Sequence, residues 1–475
     1  MSAPRSLLSP ARLLSREECE AIARRALAFG TADDVRVSIG GGSRGNTRFA
    51  QNQVSTSGDN YDVQVTVRAG VGQFVPAAQQ PTDAALPRRG IKVGFSSTNR
   101  LDDASLREVV QTAERLARLA PEDPEALPEL PNQTFEPDQG WSDATAALDP
   151  AGRVAAVRQV TDPARAAGLQ STGYLESNAG FFAVANNKGL FAYRRATSSA
   201  MTMTVRTADG SGSGWAGAAH HDVSRIDARA LGARALDKAQ RSVNPVAIEP
   251  GRYTVVLEPT AVGNLVQLIA FNLGARNADE GRSFFTKPGG GNKIGMKVVD
   301  ERISITSDPL DVDMPAGAFT GEGLPVRRTA WIEKGAVANL AYDRYWAMSK
   351  NRDPVPGPSS FRMTGGDSTI EQLIASTERG LLVTRFWYIR PVDPRTILYT
   401  GLTRDGTFLI EKGKITRAVK NLRFNESPIF MLNNIEAMTA PVRVSASEDG
   451  GPGFGVMVPA LKVRDFNFTS SSDAV

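Results

Sequence analysis

The sequence is poor in the residues that build cross-links and metal centres. It has one cysteine, Cys19, and two histidines, the adjacent pair His220 and His221, in 475 residues. A single cysteine permits no internal disulfide. Zinc sites draw on Cys, His and carboxylates, and nearly all include at least two His or Cys ligands. Neighbouring residues in a strand point to opposite faces, so His220 and His221 are not expected to close on one ion, and Cys19 falls on a helix far away in sequence. The expectation is a chain that holds no metal and carries no catalytic residue of its own. No run of eighteen apolar residues is present, which argues against a membrane-spanning helix. The opening Met1-Ser-Ala-Pro-Arg-Ser lacks the apolar core of a secretory leader, which makes the cytoplasm the expected compartment. Neither sign of charge dominates: 55 Lys and Arg stand against 51 Asp and Glu. The basic residues are dispersed, so no nucleic-acid surface is expected.

What is present is a globular composition, 41% hydrophobic and 22% charged. The length exceeds one ordinary core and divides into two domains. The first spans 1–245. Ser15 with Glu18 three residues later forms a capping box for an opening helix that contains Cys19, and Gly30 marks its end. A β-rich stretch follows from Val35. Leu106, Val109, Val110, Ala113, Leu116 and Ala117 then recur at helical spacing. From 121 to about 147 the chain turns rich in Pro, Glu and Asp and reads as an extended surface linker within this domain.

The same order of elements recurs. Val63 to Arg68 alternates like a half-buried strand, and the stretch from Gly94 leads into the helix at 103–119. Met201 to Arg206 alternates likewise, and Gly217 to Asp227 leads into a helix carrying Leu231, Ala235, Leu236 and Ala239. Both read β-β-α, an internal duplication. A second boundary falls at Asn244-Pro245 and Glu249-Pro250-Gly251, and the second domain, 250–475, opens with the strand Tyr253–Leu257. It carries one clear helix, with Val262, Leu265, Val266, Ile269 and Leu273 on one face, and is otherwise β. Trp331–Val337 and Leu409–Ile415 share Glu-Lys-Gly, a tight hairpin turn. The fold class is therefore α+β, an N-terminal α/β domain followed by a mostly β domain.

Three short patterns resemble sites and are outweighed by context. Gly41-Gly42-Ser43-Arg44-Gly45 matches the Gly-x-Ser-x-Gly nucleophile elbow, but Asn46–Val54 offers no helical face after it. A flexible hairpin tip is expected there. Gly289–Lys293 lacks the Gly-Lys-Ser/Thr ending of a phosphate loop and reads as a surface loop. Asp308, Asp311 and Asp313 lack the spacing and closing glutamate of a calcium loop.

Several blocks resemble the TldD/PmbA family in the expected order: Arg48–Gly58, Val93–Asn99, Val255–Ala261, Asp308-Pro309, Gly321–Gly323 and Ile410–Ile415. The resemblance implies an α+β N-terminal domain, a β-rich C-terminal domain, and work as a pair in which a TldD-type subunit carries zinc and a PmbA (TldE)-type subunit does not. In the metal-bearing subunit a His-Glu-x-x-x-His motif lies on the helix after the Val-Val-Leu strand, with a cysteine far downstream. Here that helix reads Asn264–Leu273 without histidine or glutamate, and no cysteine follows residue 400. The chain thus resembles the metal-free subunit, with no cofactor of its own, a zinc-bearing TldD-like partner and a peptide substrate. Gln267 and Asn272, polar on an apolar helix, are the candidate substrate contacts. Trp387-Tyr388 and Arg344-Tyr345-Trp346 depart from the family pattern. The competing readings are an independent hydrolase using Ser43 and a regulator that binds another protein or DNA.

Overall fold

A computed structural model of the chain describes residues 13–80, 89–448 and 454–472, and the opening Met1-Ser-Ala-Pro-Arg-Ser lies outside the described residues. Helix α1 (Arg16–Ala28) starts from the capping box: Glu18 N–H donates to Ser15 Oγ at 3.2 Å, and Ser15 N–H to the Glu18 carboxylate at 2.8 Å. Long strands β1 (Asp34–Ala50) and β2 (Gln53–Val71) follow, then β3 (Ile91–Thr98) and α2 (Asp103–Leu119), capped by Asp102. A short β4 (Glu122–Asp123) and α3 (Asp143–Ala146) precede α4 (Pro150–Ala166). The second half repeats the order with β5 (Gln170–Asn186), β6 (Phe191–Arg206), β7 (Ser213–His220) and α5 (Ala228–Arg241). The seven strands form one sheet ordered β4-β3-β2-β1-β5-β6-β7. Helix, three strands, helix thus occurs twice about the central β1–β5 pair.

The repeat reaches single residues. A Cβ at Gly94 on β3 would lie 2.2 Å from Ala113 O and 2.3 Å from Ala117 N of α2. A Cβ at Gly214 on β7 would lie 2.2 Å from Ala235 O and 2.5 Å from Ala239 N of α5. Each half needs glycine where its helix backbone rests on its third strand. The equivalent of Gly94 is therefore Gly214, not Gly217.

All four long helices cover one face of the sheet. Val35, Val37 and Ile39 of β1 and Val65, Val67 and Ala69 of β2 pack with α1 and α2, and Phe49, Leu175, Met201, Met203 and Val205 pack with α4 and α5. Because side chains alternate along a strand, the other face of β1 carries Arg36, which Glu129 covers, and then Ser38, Arg44 and Asn46, over which it stays open.

The glycine-rich segment differs from expectation. Gly41–Gly45 is the middle of β1, with Ser43 opposite Tyr61 of β2 and Ala179 of β5. A Cβ at Gly41 would lie 2.4 Å from Asp62 O, and one at Gly42 would lie 2.3 Å from Ala179 O. Glycine here serves close approach of neighbouring strands. The hairpin tip lies later, at Gln51-Asn52, both with positive φ, and Asn52 Oδ1 accepts from Ser171 N–H at 2.7 Å.

The C-terminal part opens with β8 (Gly251–Leu257) and α6 (Pro259–Ala270). Four short helices, α7 (Ala275–Asp279), α8 (Arg344–Ser349), α9 (Ile370–Ala375) and α10 (Pro428–Asn433), punctuate the rest. One sheet contains β9 (Ile305–Ser307), β10 (Thr329–Glu333), β11 (Ala336–Val337), β12 (Ser360–Met363), β20 (Val442–Ser445) and β21 (Gly455–Val458). The other joins β8 to β13 (Arg379–Val383), β14 (Phe386–Asp393), β15 (Leu398–Thr403), β16 (Thr407–Glu411), β17 (Lys414–Ala418), β18 (Leu422–Glu426), β19 (Ile435–Met438) and β22 (Leu461–Ser471). Both Glu-Lys-Gly turns are tight hairpins, with positive φ at Lys334-Gly335 and Lys412-Gly413.

Of residues 121–147, the stretch up to Ser142 is extended, as its prolines dictate, and α3 closes it; the segment straps the first sheet to the C-terminal part. Buried Glu129 pairs with Arg68 at 2.7 Å. Beyond it Arg276 grips Glu125 at 2.7 Å, Arg344 donates to Pro128 O at 2.7 Å, and Arg327 pairs with Glu136 at 3.0 Å. Ion pairing with arginines from the distant half makes the acidic linker a connector.

Candidate functional site

Helix α6 runs from buried β8 into the larger core, and its first turn is set by Pro259. Its residues include no His, Cys, Asp or Glu. The polar side chains on its buried stretch are amides engaged by backbone. Asn264 Nδ2 and Gln267 Nε2 both donate to Ala446 O, at 2.8 and 2.5 Å, while Asn264 Oδ1 accepts from Phe386 N–H at 3.0 Å. Asn272 follows the helix and donates to Leu268 O at 2.8 Å. Gln267 is 9% exposed and Asn272 half-buried. The helix therefore fastens the ends of β20 and β14, and its donor set does not fit a zinc ion. Among the described residues, no three His, Cys, Asp or Glu side chains group to hold a metal.

Beside Ala446, Glu448 O accepts from Arg385 at 2.8 Å, and the Glu448 carboxylate accepts from Ile389 N–H. Arg385 is nearly fully buried, lies 4.5 Å over the Trp215 ring of β7, and pairs with Asp405 at 3.6 Å. Burial pushes its pKa down, against the pull of Asp405. Asp405 also accepts from Ser213 Oγ at 2.5 Å. One arginine thus joins the two sheets next to the end of α6, above a cavity of about 290 Å³ lined also by Trp387, Arg404 and Glu448.

The open face of the first sheet forms a groove of about 1000 Å³ across β1, β2, β5 and β6, lined by Ser43, Arg44, Asn46, Gln64, Asn178 and Phe182 among others. Ser43 borders this groove within a continuous strand, but it is in phase with Val37 and Ile39, so its side chain turns to the helix-covered face. A nucleophile elbow needs a strand-turn-helix bend, and that bend is absent here.

At the groove's end, Ala196, Thr197 and Ser198 also line a second cavity of about 310 Å³ with His220, His221, Ser360 and Arg443. The histidines do not diverge. Strand β7 ends at His220, so the alternation of a strand does not extend to His221, and the two rings stack with centroids 4.4 Å apart. His220 Nδ1 accepts from Asp222 N–H at 2.9 Å, whereas His221 Nδ1 is buried without a hydrogen-bond partner. Burial, then Arg443, lower both imidazoles, His220 to about 4. Of the acidic trio, Asp311 forms a two-pronged pair with Arg362 at 2.6 and 2.7 Å, and Asp313 meets the same guanidinium at 3.2 Å. Asp311 and Asp313 thus hold the Arg362 guanidinium. Asp308 accepts from Leu310 N–H.

Arg385, Asp405 and Arg443 were invisible in the sequence, because lone charged residues in strands carry no spacing signal. Cys19 is buried in the α1 core, its thiol pushed up to about 12 by burial.

Two family models match: the PmbA/TldA metallopeptidase central domain over residues 142–243 and the PmbA/TldA metallopeptidase C-terminal domain over 250–470. A metalloprotease of Methanothermobacter thermautotrophicus is 23% identical over 321 residues, covering 61% of this chain and 67% of that one. The crystal structure of TldE from Thermococcus kodakarensis superposes with a TM-score of 0.80 at 16% identity, over 95% of this chain and 99% of that one. That likeness shows the fold.

Proposed function

We propose that this chain, which belongs to the PmbA/TldD metallopeptidase family, is the metal-free subunit of a two-chain peptidase, lining the chamber in which a zinc-bearing TldD-like partner cleaves unfolded or modified peptides. The observation that carries this reading is α6, where Asn264 and Gln267 are committed to Ala446 O and no metal ligand is offered. Bound zinc supplies a water with a pKa near 7 for amide hydrolysis, and that chemistry is assigned to the partner. This chain contributes surface. The groove on the open sheet face presents polar side chains to an extended peptide, and strand-lined walls recognise such peptides through pockets for alternate side chains. The expected compartment is the cytoplasm.

The test mixes the purified chain with a family member bearing His-Glu-x-x-x-His from the same genome. A stable assembly by size, with chelator-sensitive cleavage of a disordered peptide that neither chain shows alone, is the expected result. Chelator-resistant cleavage by this chain alone overturns the reading, and so does failure to associate with any such relative.

A further inference from the structure

We propose that the cavity formed by His220, His221 and Arg443 is a carboxylate site, and, resting on the peptidase reading above, that it anchors a carboxylate of the peptide lying in the adjoining groove. Arg443 of β20 is largely buried and gives one guanidinium nitrogen to Asp313 O. The acids nearest it, Asp311 and Asp313, are engaged by Arg362. Among the described residues, no carboxylate forms a salt bridge with Arg443. Asp313 and Asp311 offset the burial of this guanidinium only from a distance, and a ligand anion supplies the direct partner that the chain does not. His221 lines the same cavity, its Nδ1 enclosed and without a hydrogen-bond partner, and feels an anion there through its charge. His220 is fixed by Asp222 N–H and packs flat against His221, holding that ring in place.

The other charged groups acting on the pair are Asp222, Asp313 and Arg225. The Asp222 carboxylate is occupied by Ser142 and Ser224. The cavity adjoins the groove, the two sharing Ala196, Thr197 and Ser198 as lining, so a peptide along the open sheet face ends beside Arg443 and can offer it a C-terminal carboxylate or an Asp or Glu side chain. An anion beside His221 favours the imidazolium, so binding takes up a proton and strengthens as pH falls.

The chain's two histidines both lie here, and imidazole NMR therefore reports on this cavity alone. Three probes are titrated into the isolated chain: N-acetylglycine, its neutral amide, and a capped aspartate bearing only its side-chain carboxylate. The expected result is that one or both acids shift the two imidazoles and raise the His221 midpoint, while the amide does neither. The acid that binds more tightly identifies the source. Arg443→Met is expected to weaken binding about tenfold, with partial recovery in Arg443→Lys, and an unchanged circular-dichroism spectrum with a cooperative unfolding transition in the free variants verifies the fold, since loss of the Arg443 charge itself moves the imidazole signals. Equal shifts from acid and amide, no carboxylate-specific shift, or undiminished binding in folded Arg443→Met overturns the proposal. Only this chain and small acids are used, so failure here leaves the two-chain assembly standing. Failure to assemble leaves the carboxylate site without its peptide role.

Discussion

Gln267 donates to the carbonyl of Ala446 at 2.5 Å, and Asn264 donates to the same oxygen at 2.8 Å. The two amides share one acceptor, so losing Gln267 alone leaves that oxygen bonded. Gln267→Ala keeps Ala446 O bonded through Asn264 and is expected to be mild. Gln267→Glu sets a carboxylate against that carbonyl in a buried place and is expected to cost about 1–3 kcal/mol. Urea unfolding of both variants checks the order.

Gly94 and Gly214 make the duplication testable. Each leaves no room for a Cβ against the backbone of its helix, and overpacking against backbone costs about 1–3 kcal/mol. Gly94→Ala and Gly214→Ala should each lower stability by that amount, and similarly, because they sit at equivalent points of the two halves. Gly168→Ala is a poor control because its φ is positive. Gly58→Ala, with nothing within 4 Å of the added carbon, should be close to neutral.

The legible parts of the fold were those written in local chemistry. Ser15 and Glu18 are a cap wherever they occur before an apolar run, and Glu-Lys-Gly turns need only their own φ angles. Gly41–Gly45 was misread because glycine marks both a turn and a place where strands crowd, and only the sheet tells them apart. His220 and His221 were misread because the period of a strand was extended one residue past its end. Gln267 was visible as a polar residue on an apolar helix, but its partner, Ala446, lies 179 positions away. The acidic linker became a strap only through Arg276, Arg327 and Arg344 of the other half.

Glu426 gives the pH dependence a definite sign. Its carboxyl is buried, and burial raises it from 4.5 to about 7 despite N–H donors from Ser427 and Asn467. The folded chain therefore keeps this proton while the unfolded chain releases it. The stabilisation from a raised pKa is fully present below 4.5 and is lost as pH rises through about 7. His220 acts oppositely, since its pKa falls to about 4 and its contribution is lost as pH drops below 6.5. Glu426→Gln should remove the loss between 4.5 and 7, and so gain stability relative to the parent as pH goes from 5 to 8. A melting series across that range tests it, and a constant offset between the two proteins counts against the assignment.

Asp405 should be the most sensitive single charge between the two sheets. It is the only carboxylate paired with Arg385 among the described residues, and Arg385 is 5% exposed beneath Trp215. Removing one member of a buried pair leaves the other charge uncompensated, at a cost of about 3–5 kcal/mol. Asp405→Ala should therefore destabilise by that amount, and it also strips the acceptor from Ser213 Oγ. The double change Asp405→Ala with Arg385→Leu removes the stranded charge, so it should be less destabilising than Asp405→Ala alone. Chemical unfolding of the two single variants and the double variant gives the coupling energy directly. If the double variant is as unstable as the sum of the singles, the pair is not coupled, and Arg385 is held by its stacking on Trp215 and its bond to Glu448 O instead.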